Sequence, residues 1–327
     1  MTGMEITMTS RIIGTGRCLP ETVVTNDDLS KIMDTSDEWI SSRTGIRERR
    51  LVKEETTLSM SVKAAREAIQ NAGIQPEEID LIIVGTLTGD YITPSTACEV
   101  QAEIGAHHAM AFDVNAACTG FIVALNTAHM YIQAGMCRTA LIIGAETLSK
   151  IMDWEDRGTC VLFGDGAGAA VVQAAETGIL SFVQGADGSK GMSLACQDRA
   201  NNNPLVQKGK ELKYTYMNGQ EVYKFAVTKV PECIQQVLEK ANLATSDIKY
   251  FILHQANIRI IQSVAKRLKV SEDKFPISLD HYGNISAASV PILLDEVNKK
   301  GMLQKGDKIV ISGFGGGLTW GADIIEW

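Results

Sequence analysis

The sequence predicts an α/β protein made of two duplicated halves around buried, mainly parallel central sheets. Two observations carry this. Short, continuously apolar runs such as Asp80–Thr86 and Thr139–Gly144 alternate with longer helical patterns. Strands covered by helices on both faces read this way. The chain also repeats itself. Ala68–Ile83, a helix, polar turn and strand, returns as Val237–Ile252. Phe112–Leu125 returns loosely as Ile277–Leu294, and Thr139–Gly144 as Lys308–Ser312. Duplication on this scale outweighs any lone glycine motif. A boundary near residues 175–185 is expected, giving halves of residues 1–180 and 181–327.

Composition narrows the function classes. The 327 residues suffice for one large or two medium domains. At 45% hydrophobic and 21% charged, the chain is ordinary globular protein. The formal net charge of -8 argues against a generally basic nucleic-acid binder. Seven cysteines, an odd number without a CxxC pair, resemble neither a disulfide framework nor a zinc site. A reducing cytoplasm is therefore expected. No apolar run reaches transmembrane length. Met1–Ser10 lacks a basic start followed by an apolar core, so no signal peptide or stable membrane association is expected. Met4 and Met8 are alternative starts.

In chain order, Arg11–Gly16 reads as a strand, with Gly14 and Gly16 in a turn that needs positive φ. Helices are expected to start at Thr25 and behind the cap Ser36. Arg43, Arg47, Arg49 and Arg50 cluster near Trp39. This composition fits a site for a phosphorylated aromatic ligand and a solvated face equally well. Leu58–Ala72 is an amphipathic helix stopped by Gly73. Pro94–Ile104 reads as a helix turning at Gly105. Gly120–Ala134 reads as a helix ended by Gly135. Gly164–Gly168 reads as close backbone packing before the strand Val171–Val172. Asp187–Gly219 is polar and Asn/Gly-rich, a long loop expected to cover a site or shape a partner surface.

Cys118 lies in Ala111–Gly120, where a strand passes into the helix from Gly120. A helix N-terminus presents free N–H groups and positive dipole charge, so a lowered thiol pKa is expected. A buried, inert cysteine is the common alternative. His254 follows the strand Tyr250–Leu253. Gly283-Asn284 is expected to occupy, in the second half, the position Cys118 holds in the first. Alone, His254 reads equally as a core histidine and Asn284 as a cap or turn residue. Together with Cys118 at strand ends they form a cysteine-nucleophile constellation. His107 and His108 fall in a turn and His129 in a helix. His281 is a weaker candidate beside Asn284. No grouping makes a metal site.

The chain resembles the β-ketoacyl-acyl-carrier-protein synthase III family over nearly its whole length. The resemblance lies in Asp37-Glu38-Trp39-Ile40 with Arg43-Thr44-Gly45-Ile46-Arg47-Glu48-Arg49, and in Ala116-Ala117-Cys118-Thr119-Gly120-Phe121. It continues in Asp156-Arg157-Gly158-Thr159, His254-Gln255-Ala256-Asn257, Gly283-Asn284 with Ser286-Ala287-Ala288-Ser289, and Gly315–Gly321. These separate it from elongating synthases, which carry a Cys-His-His set.

The resemblance implies a thiolase-like fold, a homodimer, and condensation of a short acyl-coenzyme A with malonyl-acyl-carrier protein. It implies Cys118 as nucleophile, His254 and Asn284 as donors, and backbone N–H groups at Cys118 and Gly316 as oxyanion donors. Trp39 and Arg157 would flank the coenzyme A adenine, with Arg43 close by. Lys224, Arg259 and Lys266, with Arg267 adjacent, would receive the acidic carrier protein. Decarboxylation supplies the carbanion, so no metal or redox cofactor is implied. Ile285 departs from the family's usual threonine, and a changed local hydrogen bond or pocket shape is expected there. Thr93 falls in the region that shapes the acyl pocket. The rival readings are a specialised-pathway acyltransferase of the same fold, a noncatalytic thioester-binding subunit, and a weaker one, a nucleotide-binding regulator.

Overall fold

The structure, a computed structural model, describes residues 8–199, 201, 203–206 and 213–327. Met4 and most of Met1–Ser10 lie outside the described residues, as does part of Asp187–Gly219. The first half contains β1 (Thr9–Cys18), β2 (Val23–Thr25), α1 (Asn26–Leu29), α2 (Asp37–Thr44), β3 (Glu48–Arg50) and α3 (Thr57–Ala72). It continues through β4 (Leu81–Gly85), α4 (Thr96–Ile104), β5 (Met110–Val114), α5 (Gly120–Gln133), β6 (Thr139–Thr147) and β7 (Asp165–Ala175). There follow β8 (Ile179–Gly191), β9 (Leu194–Ala195), β10 (Tyr216–Met217), α6 (Gly219–Ala241) and β11 (Tyr250–Leu253). The chain closes with α7 (Ile258–Leu268), α8 (Leu279–Tyr282), α9 (Ser289–Lys299), β12 (Lys308–Gly315) and β13 (Gly317–Glu326).

The strands form a five-stranded sheet, β1-β7-β6-β4-β5, and a four-stranded sheet, β8-β13-β12-β11. The order is the same in both, except that the second lacks a partner for the edge strand β5. The second sheet begins at Ile179, so residues 180/181 fall inside β8. Both sheets are mixed, which corrects the expectation of mainly parallel ones. β4 runs parallel to β5 and β6, and β11 parallel to β12, while the remaining pairs are antiparallel. The continuous apolar runs report burial on both faces, which is independent of strand direction.

That burial comes from five layers. α3 and α4 cover the outer face of the first sheet, and α6 and α7 that of the second. α5 and α9 lie between the sheets. In β4, Leu81 and Ile83 face this central layer, while Ile82 and Val84 face α3 and α4. In β12, Ile309 and Ile311 face inward and Val310 outward. α5 buries Phe121, Ile122, Leu125, Ala128 and Ile132 and is apolar nearly all round, as a helix between two sheets must be.

Local signals behave as the residues dictate. Ser36 caps α2 through the Trp39 amide, and Gly73 and Gly105 end α3 and α4 in the left-handed conformation. Gly14 and Gly16, expected in a positive-φ turn, instead lie within β1 against α3. A Cβ at either position would stand 2.4 Å and 2.3 Å from the Ala68 and Ala64 carbonyl oxygens, respectively. The strand and helix backbones touch there, and no side chain fits between them. The polar stretch from Asp187 is partly strand, contributing the end of β8 and the small β9–β10 pair. Residues 277–284 form no strand. α8 occupies Leu279–Tyr282, so the loose repeat of Phe112–Leu125 holds only for the turn and helix that follow.

Asp323 on β13 is one of several charged residues buried in the core. It is fully buried, and neither carboxyl oxygen has a hydrogen-bond partner among the described residues. Burial pushes its pKa well up, opposed by the neighbouring Asn126 of α5. A raised folded-state pKa stabilises the fold fully below the ordinary carboxyl range, and this is lost as pH rises through the folded value. Asp323→Asn is expected to stabilise the fold by about 1–3 kcal/mol at alkaline pH and progressively less toward pH 4. Thermal unfolding across that range checks this, and a pH-independent difference would contradict it.

Candidate active site

Two short 3-10 turns, Ala117–Thr119 before α5 and Ser286–Ala288 before α9, pack against each other between the sheets. They share one geometry. Each begins with a residue of positive φ, Ala117 at 45° and Ser286 at 43°. In each, an asparagine two residues earlier accepts from that residue's amide, Asn115 at 3.3 Å and Asn284 at 2.8 Å. Asn284 is therefore the counterpart of Asn115, and Ala287 that of Cys118. This corrects the expectation that Asn284 mirrors the nucleophile.

Cys118 is 7% exposed and lines an open cavity of about 900 Å³ with Gly316, Ser286, Phe163, Leu87 and Thr88. α5 begins only at Gly120, past the cysteine. Burial pushes the thiol up to about 12; the adjacent Ser286 opposes this and the Glu146 carboxylate adds to it. The expected lowering is thus reversed, because loss of water around the sulfur outweighs what a helix terminus supplies.

His254 and Asn284, 2% and 7% exposed, stand at the same junction. A Cβ built on Gly313 of β12 would lie 3.5 Å from the His254 Cβ and 3.7 Å from the Cys118 carbonyl oxygen. His254 Nδ1 pairs with Ser289 Oγ at 2.6 Å, and its ring meets Phe314 edge-on at 5.4 Å. Its Nε2 is buried with no partner among the described residues. Burial pushes this imidazole down to about 3, so it is neutral at neutral pH. Asn284 is held by its backbone, which accepts from the Gly164 amide at 3.0 Å and donates to the Leu162 carbonyl at 2.8 Å. Its Oδ1 accepts from the Ser286 amide, leaving Nδ2 as its donor end.

The remaining candidates lie elsewhere. Arg43 and Arg157 place their guanidinium carbons 4.7 Å and 5.2 Å from the Trp39 ring centroid, at the surface. Arg157 also pairs with Asp34 at 3.0 Å. Arg49 leaves the expected arginine cluster altogether. It is buried and donates to Asn26 and to the Val24 and Val161 carbonyls. Lys224 is exposed on α6, and Arg259, Lys266 and Arg267 are exposed on α7. Arg259 donates to the Ser42 carbonyl at 2.7 Å and Asn257 to that of Arg43 at 3.1 Å, fastening α7 to α2.

Three finer expectations change. Ile285 packs with Leu19, Tyr282, Ala288 and Ile292 in a small apolar cluster, where a methyl-rich side chain is at home. Tyr91 and Ile92, and not Thr93, line the cavity. His281 is exposed and stands 3.3 Å from Asp280 and 3.7 Å from Glu48, away from the cavity. The polar stretch after Asp187 does contribute to the cavity wall, through Leu194–Arg199. Sequence reading assigned no role to Ser289 or Glu146. A charged residue ending the apolar run Leu141–Ala145 was the available signal for the latter.

Gly315 bears directly on Cys118. A Cβ there would lie 2.7 Å from the Cys118 amide nitrogen and 2.9 Å from its Cβ. Gly315→Ala is expected to displace Cys118 and lower its acylation rate about 10²-fold in a folded protein. Single-turnover acylation with circular dichroism checks this, and an unchanged rate would contradict it.

Residues 112–188 match the family model described as 3-oxoacyl-[acyl-carrier-protein (ACP)] synthase III, and residues 238–327 match its C-terminal counterpart. A β-ketoacyl-[acyl-carrier-protein] synthase III of Clostridium acetobutylicum is 54% identical over 318 residues, covering 97% of this chain and 98% of the relative. The crystal structure of 3-oxoacyl-[acyl-carrier-protein] synthase III from Aquifex aeolicus superposes with a TM-score of 0.91 at 47% identity, covering 97% of this chain and 100% of that one. The priming β-ketosynthase of the R1128 polyketide biosynthetic pathway superposes with a TM-score of 0.91 at 36% identity, covering 97% and 96%. The architecture is the thiolase-like fold of these neighbours. On these likenesses, which span nearly its full length, the chain belongs to the 3-oxoacyl-[acyl-carrier-protein] synthase III family.

Proposed function

We propose that the chain condenses a short acyl-coenzyme A primer with malonyl-acyl-carrier protein, using Cys118 as nucleophile and His254 and Asn284 as hydrogen-bond donors. The product is a 3-oxoacyl-carrier protein, the first condensed intermediate of fatty-acid synthesis. The observation that carries this reading is the meeting of the two turns, one bearing a thiol and the other following an amide, beside a neutral imidazole whose Nε2 is unpartnered.

In the first half-reaction the Cys118 sulfur attacks the acyl carbonyl, and coenzyme A leaves. The backbone amides of Cys118 and Gly316 face the developing oxyanion. In the second, the malonyl thioester carbonyl accepts hydrogen bonds from His254 and Asn284. Carbon dioxide departs, the enolate forms against those donors, and its carbon attacks the acyl-enzyme. This asks His254 for a hydrogen on Nε2. The Ser289 hydroxyl accepts from the Gln255 amide at 3.4 Å and can donate to Nδ1, an arrangement compatible with that tautomer. Carbon–carbon bond formation draws its electron pair from decarboxylation, so the reading invokes no cofactor.

Trp39, Arg43 and Arg157 would hold the adenine and phosphates of coenzyme A by stacking and ion pairing. Lys224, Arg259, Lys266 and Arg267 would receive the acidic carrier protein on the outer helices. The uncovered edge strand β5, with Met110 exposed, would join a second copy in a homodimer. The halves, residues 1–180 and 181–327, would divide the chemistry, with the nucleophile in one and the donors in the other. Among the described residues no helix is long and apolar enough to cross a membrane. With seven free cysteines, a reducing cytoplasm is the compartment this reading assigns. The likeness to a polyketide priming synthase favours, as a second reading, service in a specialised pathway.

Labelled acetyl-coenzyme A followed by peptide mass spectrometry is expected to place the acyl group on Cys118, and Cys118→Ala to abolish it. A stable label elsewhere would overturn the assignment. His254→Ala and Asn284→Ala are each expected to slow condensation about 10²–10³-fold while acylation persists. Normal condensation in both would refute the donor pair. Neutralising Lys224, Arg259 and Lys266 together is expected to raise the KM for carrier protein about tenfold or more at low salt, with acylation little changed. Equal losses in both half-reactions would contradict that surface. A primer panel with analysis of carrier-bound products separates the two pathway readings.

A further inference from the structure

The buried carboxyl of Glu146 has no part in this chemistry. Glu146 lies near the end of β6, which packs against the turn Ser286–Ala288, and it is fully buried. Its Oε2 accepts from the Leu87 amide at 3.2 Å, from the Thr86 hydroxyl at 3.4 Å and from the Thr88 hydroxyl. Its Oε1 is buried without a hydrogen-bond partner among the described residues, and so is the Ser286 hydroxyl. Ser286 nevertheless stands beside both the Cys118 thiol and the Glu146 carboxyl and lowers the pKa of each. In this resting arrangement the contacts fall short of standard hydrogen-bond geometry. The turn bearing Ser286 packs against both β6 and the Cys118 turn, and Ser286 lines the cavity with Cys118, so one buried hydroxyl adjoins thiol and carboxyl and can accept from one and donate to the other.

Burial acts in opposite senses on the two bases near the sulfur. It pushes the Glu146 carboxyl up to about 7, against the hydrogen bonds from Thr88 and Leu87. It pushes His254 down to about 3. The carboxylate is therefore the better proton acceptor, and the imidazole is left as a donor of hydrogen bonds.

We propose that Glu146 accepts the Cys118 proton during acyl transfer, by way of the Ser286 hydroxyl. The proposal rests on Cys118 as the nucleophile. As the sulfur attacks, its S–H proton passes to Ser286 Oγ, and the proton of Ser286 passes to Glu146 Oε1. A carbon–sulfur bond forms to the acyl carbonyl carbon. The carbon–sulfur bond to coenzyme A breaks when the tetrahedral intermediate collapses, and the departing thiolate takes a proton back along the same path. Glu146 ends as the carboxylate it began as, and no other reactant is consumed. The titratable group near it on the first turn is Cys118. On the far side of Thr88, Lys150 donates to the Thr88 and Gly89 carbonyls and pairs with Asp90 at 3.6 Å.

The sign of one substitution separates this role from a passive charge. A passive carboxylate only raises the thiol pKa, so removing it would speed acylation. Glu146→Gln retains the shape and an acceptor for Thr88 and Leu87. Single-turnover acylation from acetyl-coenzyme A is followed from pH 6 to 9 in the parent, Glu146→Gln and Ser286→Ala. The parent rate is expected to rise through an inflection near 7 and level off. Glu146→Gln is expected to lose that inflection and acylate about 10²-fold more slowly at pH 8. Ser286→Ala, which keeps the carboxylate, is expected to slow similarly. Condensation from preloaded acyl-enzyme is expected to stay within a factor of about three of the parent. A Glu146→Gln rate equal to or above the parent's, a retained inflection, or equal losses in both half-reactions would each overturn the proposal. Absence of label on parental Cys118 would overturn the nucleophile assignment as well, whereas labelled Cys118 with an unaffected Glu146→Gln rate would overturn this inference alone.

Discussion

Direct backbone contact between the two halves sets the geometry of the site. β6 of the first half presses on the turn of the second, and β12 of the second presses on the turn of the first. At both points the strand contributes a glycine. A Cβ at Gly144 would stand 2.2 Å from the Ala287 carbonyl oxygen, as one at Gly315 would crowd the Cys118 amide. Within the first half, a Cβ on Gly85 would likewise stand 2.6 Å from the Gly120 carbonyl carbon. Without side chains at these contacts, the two turns are located by rigid strands and have few alternative positions. Cys118 and Ser286, drawn from distant parts of the sequence, are thereby held without long flexible side chains, which is where positional precision is usually lost.

Burial then decides the charges. Desolvation raises the thiol and the carboxyl and lowers the imidazole, so each group leans toward its neutral form. The site is thus not a resting thiolate–imidazolium pair. The thiol and the imidazole are held neutral, and the Glu146 carboxyl, pushed up to about 7, is the group beside them that can carry charge near neutral pH. Nε2 of His254 and the oxygens of Ser286 and Glu146 have no hydrogen-bond partner among the described residues and so retain hydrogen-bonding capacity. A bound thioester and its oxyanion can meet part of it.

Much of this fold was readable from local chemistry. Caps at Ser36, Gly73 and Gly105 and the apolar runs of β4 and β6 placed elements within a few residues, because each signal is a property of neighbouring residues. Strand direction was not readable, since Leu81–Gly85 shows the same apolar run whichever way its partner runs. Gly14 and Gly16 misled because a glycine required by a helix 50 residues away looks the same as one required by a turn. The placing of Cys118, His254 and Asn284 near one junction was readable because they sit at element ends in related halves. The state of Cys118 was not, because its pKa depends on enclosure by β12 and the opposing turn. Glu146 escaped for the same reason: only the assembled turn places Ser286 between it and the sulfur.

The two hydrogen bonds that fasten α7 to α2 join the carrier-binding surface proposed above to the indole–guanidinium cluster proposed for coenzyme A. On that reading the protein has one doorway, not two. A primer and an extender arriving at a shared sill must take turns, and a covalent acyl-enzyme is what lets the first visitor leave its cargo behind before the second arrives.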